Sequence, residues 1–107
     1  MAINIFKNIT ANLTTSGDTV YTAPLGYTGI VLLAQVSNLT GNTVAASAFV
    51  KKGTSLTSLV TDFEIPGNDA AGLLSGKLVL EVGQQIFVSA SANSSAQMTL
   101  SILESQN

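Results

Sequence analysis

Residues Lys77 to Leu103 read KLVLEVGQQIFVSASANSSAQMTLSIL, and their alternation decides the fold class. Met98, Leu100 and Ile102 share one parity, with Thr99 and Ser101 between them. Ile86, Val88, Ala90 and Ala92 form a second such set, and Leu78, Leu80 and Val82 a third. Period two with polar residues between marks strands that bury one face. Gly83 separates the first pair of runs, and Asn93-Ser94-Ser95 supplies turn formers between the second pair. This stretch predicts a three-stranded antiparallel meander whose apolar face the rest of the chain must cover.

Working back from there, Gly29 to Leu39 (GIVLLAQVSNL) is the most hydrophobic run, and its β-branched start and glycine-flanked end predict a central strand. Gly41-Asn42 after it predicts a two-residue type II′ hairpin loop. The returning strand, Thr43 to Val50, carries Val44, Ala46, Ala48 and Val50 on one face. Its alanines are small, so another sheet or another subunit is expected to come close. Leu56 to Ile65 alternates less cleanly, and Pro66-Gly67-Asn68-Asp69 is a turn. Ala70 to Leu74 suits one helical turn capped by Asn68 or Asp69. Ile3, Ile5, Phe6 and Ile9 open the chain as an edge strand or an extended arm over residues 1–10, with Phe6 breaking strict alternation. The expectation is all-β: residues 1–107 as a single antiparallel β-sandwich of about eight short strands, the jelly roll being one candidate topology.

Composition narrows the function. Charged residues are 9% of the chain, roughly a third of the usual share. Four lysines, no arginine and a net charge of −2 give nucleic-acid phosphates almost nothing to bind. The absence of cysteine and histidine removes disulfides, thiol nucleophiles, ordinary zinc sites and Ser-His catalysis. No apolar run reaches a membrane span, and Met1 to Asn4 does not begin a secretion signal. Synthesis in a cytoplasm, no enzyme activity, no cofactor, and partners that are neither nucleic acid nor membrane are therefore expected.

The candidate sites are few. Asp62, Glu64, Asp69 and Asn68 could gather round a hard cation, but their spacing matches no EF-hand, and solvated carboxylates explain them as well. No metal site is assigned. Tyr21 and Tyr27 flank Pro24 and could stack on a glycan, although such tyrosines more often cover the end of a core. Ile3, Ile5, Phe6, Ala46 and Ala48 are the candidate assembly contacts.

Several ordered blocks add a resemblance. Tyr21-Thr22-Ala23-Pro24, Gly26 to Leu32, Ile65 to Ala70, Gly76 to Gly83, and Leu100 to Glu104 together resemble a family of small virion structural proteins of tailed bacteriophages, including those of marine cyanobacteria. The likeness spans nearly the whole chain. It implies a β-sandwich within the phage particle, made in the host bacterial cytoplasm, with no catalytic residues. Head decoration or cement is the leading expectation, and a neck, tail or fibre module that binds host glycans is the alternative. The expected partners are the major capsid protein or neck and tail proteins, together with further copies of the chain, a trimer being favoured.

Overall fold

The computed structural model describes residues 4–74 and 76–107. These form nine strands: β1 (Asn4–Asn12), β2 (Asp18–Thr22), β3 (Tyr27–Asn38), β4 (Val44–Lys52), β5 (Ser55–Ile65), β6 (Ala70–Gly72), β7 (Leu78–Leu80), β8 (Gln85–Ala90) and β9 (Ala96–Gln106). In the first sheet β9 lies between β1 and β3, and the far side of β3 is shared by β6 and β7. The second sheet has the order β2-β8-β4-β5. All pairings are antiparallel. With β6 and β7 taken as one interrupted strand, the chain weaves between two sheets of four strands in jelly-roll order.

The alternation in the C-terminal third holds within the strands, but Val82 and Ala92, expected on the inner faces, lie past the ends of β7 and β8 and are exposed. Met98, Leu100, Ile102, Ile86, Val88, Ala90 and Leu80 are all buried. The meander predicted from it does not form. β7 bonds to β3, β8 to β2 and β4, and β9 to β1 and β3, so successive strands fall in opposite sheets. Alternation shows that a strand has one dry face, but both sheets of a sandwich turn their dry faces to the same core.

The loop after β3 is corrected for the same reason. β3 and β4 lie in different sheets, and Gly41 is not among the glycines with positive φ, so no II′ hairpin forms there. An arch takes its place, organised by the buried Asn38. Its Nδ2 donates to the carbonyls of Asn42 (2.6 Å), Ile65 (3.0 Å) and Pro66 (3.2 Å). Its Oδ1 accepts from the Thr40 amide and hydroxyl, each at 2.9 Å. A Cβ on Gly67 would collide with the Gly41 carbonyl oxygen, so the two loops touch backbone to backbone. Ala70 to Gly72, expected as a helical turn, instead adds β6 to the edge of β3. The tight hairpin is between β4 and β5, where Lys52 faces Ser55 and Gly53 has φ of 62°.

At the chain's start, the edge-strand alternative is the one observed. β1 pairs with β9 from Asn4↔Ser105 to Asn12↔Gln97. Its inward residues Ile5, Lys7, Ile9 and Ala11 lie beside Glu104, Ile102, Leu100 and Met98. Deleting residues 2–10 should therefore unfold the domain by uncovering Leu100 and Ile102, a loss that circular dichroism would record. Leu100→Ala should destabilise by about 2–5 kcal/mol. Ser101→Ala, on the outer face and bonded only to Asn8, should cost about 1 kcal/mol or less in the same thermal melts.

Candidate assembly surface

The candidate residues of the sequence separate into surface and core. Ala46 and Ala48 are completely or almost completely buried, so they are core residues of β4 and not assembly contacts. Their small side chains meet the opposite sheet. Ile5 points inward and is half-buried, whereas Phe6 points outward and is 75% exposed. Ile3 lies outside the described residues. Tyr21 is buried between the sheets and cannot stack on a glycan, which leaves the half-buried Tyr27 without its partner in that platform. Asp62 sits at a bulge of β5 with φ of 50°, where its amide donates to the Ser47 hydroxyl at 2.9 Å. Asp69 accepts from the Ala70 amide at 2.8 Å. Among the described residues these carboxylates do not converge into a group of three that could hold a metal.

Phe6 belongs to a feature that crosses the first sheet. The register pairs Phe6 with Leu103, Leu103 with Ile30, and Ile30 with Val79, so four strands contribute one apolar side chain each to a single outward row. Val79 is 58% exposed. Beside the row, β3 has a bulge between Val31 and Leu33, which leaves Leu32 and Leu33 both exposed. The outward positions of β1, residues 4 to 12, read Asn, Phe, Asn, Thr, Asn; those of β9, residues 97 to 105, read Gln, Thr, Ser, Leu, Ser. On β3 they are Thr28, Ile30, Leu32, Leu33, Gln35 and Ser37. None is charged. Gln97 donates to Asn12 at 2.9 Å and Ser101 to Asn8 at 2.8 Å, so parts of this polar lattice are already ordered. The second sheet's outer face differs: it carries Lys51, whose ammonium lies 5.3 Å from the centre of the Phe87 ring, and Glu64 opposite Ala45.

The charge that belongs to the first sheet has been turned inward. Glu104 continues the buried parity of β9 and is 2% exposed. Its Oε1 lies 3.0 Å from the Lys7 ammonium, and its Oε2 accepts from the Tyr21 hydroxyl at 2.7 Å. The three side chains come from β1, β2 and β9, so the cluster ties the two sheets together. Gly29 stands opposite Glu104 in the register. A Cβ there would lie 2.8 Å from the Tyr21 hydroxyl, so the missing side chain makes room for that ring. Sequence reading did not find this cluster. Its available signal was Glu104 falling on the same parity as Met98, Leu100 and Ile102.

No family model matches the chain, and no curated protein matches its sequence. Solved structures do match. A chain from the disulfide-linked pili of Bacillus endospore appendages superposes with a TM-score of 0.60 at 8% identity, over 99% of this chain and 88% of that one. The likeness is one of fold. A chain of infectious bursal disease virus, Gt strain, gives a TM-score of 0.47 at 7% identity, with all of this chain spanning 33% of that one. The present chain holds no cysteine, so its copies cannot be joined by disulfides as the pili are.

Burial, the hydrogen bond to Glu104 and the negative charge of that carboxylate all raise the Tyr21 phenol above its ordinary range. The folded pKa then exceeds the unfolded one. The associated stability is complete below the ordinary tyrosine value of about 10 and is lost as pH rises from there toward the folded value. In a Tyr27→Phe variant, where Tyr21 is the remaining tyrosine, tyrosinate absorbance should stay absent past about pH 10 and appear with unfolding. Tyr21→Phe should cost about 1.5–3 kcal/mol at neutral pH, the usual size for a hydrogen bond to a charged group, and should weaken the alkaline loss.

Proposed function

We propose that this protein is a structural subunit of a tailed-bacteriophage particle, set on the head as a decoration or cement protein. The observation that carries the reading is the uncharged outer face of the first sheet with its exposed apolar row. Proteins that stay apart in solution usually spread charge over such a face, whereas a contiguous exposed apolar patch with a polar rim suits a contact surface. The ordered blocks that resemble phage virion proteins support the same reading. So does a jelly-roll fold of the kind used in viral capsids. The proposal includes no catalysis: the chain works by covering a surface. Glycan recognition by Tyr21 and Tyr27 is set aside because Tyr21 is buried.

Quantitative mass spectrometry of purified virions tests the assignment. Hundreds of copies per particle place the protein on the head, a handful place it at the neck or tail, and its absence overturns the proposal. Assembly that depends on a face without charge should also resist ionic strength. Particles washed in about 1 M salt, where charge–charge attraction is screened beyond about 3 Å, should retain the protein. A Val79→Asp virion, in contrast, should lose it.

A further inference from the structure

We propose that the outer face of the first sheet is a self-association surface that binds the same face of a second copy, the two sheets stacked with the Phe6–Leu103–Ile30–Val79 row at the contact. The inference deepens the assembly reading, and it depends on that reading for the surface alone, not for the particle.

Four observations select a second copy as the occupant. The outward strand positions of the face carry no charged side chain, Lys77 and Glu81 lying just beyond the ends of β7, so stacking the strands on themselves brings no like charges together and calls for no oppositely charged partner. Its polar positions are Asn, Gln, Ser and Thr, each of which both donates and accepts hydrogen bonds. Such groups can pair with their own kind, as ammonium or carboxylate groups cannot. The size also suffices. About nine residues in each of β1, β9 and β3, with three in each of β6 and β7, at about 3.4 Å per residue and about 4.8 Å per strand, give about 500 Å² per copy. Two copies then bury about 1,000 Å², the lower limit for a specific interface. Finally, the edges are guarded while the face is not. Lys7 points inward on edge strand β1, and edge strand β5 is broken by bulges, one of them at Asp62 with its positive φ. Inward charges and bulges are the usual means of preventing edge-to-edge pairing. Stacking of faces is the route left open.

A patch that meets itself is isologous and closes at two copies. The expected species is a two-fold dimer and not the trimer expected with the resemblance to phage virion proteins. At the lower limit of area its affinity should be modest, with the dimer populated at the high local concentrations of an assembling particle.

Sedimentation velocity of the 107-residue chain from micromolar to millimolar concentration tests this. The wild type should pass from monomer to dimer. Phe6→Lys and Val79→Lys should each raise the dissociation constant by about tenfold or more, since burying an unpaired ammonium is costly. Both positions are exposed, so thermal melts of the variants should match the wild type. Leu56→Lys, on the second sheet, should leave the dimer unchanged. A monomer throughout, a trimer, or a dimer unaffected by both lysines overturns the proposal. A monomeric protein still found in virions would sink self-association and leave the particle assignment standing. A dimer absent from virions would do the reverse.

Discussion

The strands at the centre of each sheet have one dry side, and two sheets must turn all of those sides into one narrow space. That constraint governs the rest of the molecule. It requires each sheet's inner face to be nearly free of uncompensated polarity, because a buried charge without a partner costs several kcal/mol. It also requires the chain to cross between sheets repeatedly, and each crossing carries backbone groups that need partners. Asn38 meets the second requirement. One buried amide satisfies three carbonyls from two loops and holds the arch from β3 to β4 against the turn after β5.

Glu104 meets the first requirement in a different way. A carboxylate on the inner face of β9 is tolerated because it accepts from Tyr21 on one oxygen and faces Lys7 on the other. The half-exposed Lys7 contributes less than a fully buried ion would, since water screens it. The arrangement gives edge strand β1 an inward charge and gives the two sheets a polar link. Removing charge from the outer face and placing it inside or on the opposite sheet leaves a neutral surface of amides, hydroxyls and one apolar row. The inside and outside of this sheet are thus two parts of a single distribution of charge.

Much of the fold was legible in local pattern. The parity of Met98, Leu100 and Ile102 was correct to the residue, and so was the placing of Val44, Ala46 and Ala48 on a common face. The turn at Pro66 to Asp69 was also correct. What failed was everything that depends on partnership between distant strands. Period two tells which side of a strand is dry, not which sheet it joins, so the C-terminal meander and the hairpin at Gly41 were both misassigned. Ala70 to Leu74 suits a helical turn by sequence because local capping residues cannot report an unpaired edge of β3, which Ala70 to Gly72 joins. The surface was half visible. Phe6 stood out by breaking alternation, but Leu103, Ile30 and Val79 become its neighbours only through the register of four strands. Ala46 and Ala48 suggest contacts by sequence because small residues mark close approach without saying of what.

The position of β9 has a further consequence, for how the domain is made. β9 lies between β1 and β3, so the first sheet lacks the strand that joins them until β9, the last of the nine, emerges. A ribosome releasing this protein residue by residue would leave Ile9, Val31 and Leu33 without their β9 neighbours until that strand emerges. Pairings between distant residues close slowly, and the waiting chain is open to aggregation. The first sheet therefore cannot close before β9 is available. The neutral outer face comes into being at the same moment as the core, so a nascent chain has no finished surface with which to join a neighbour too early.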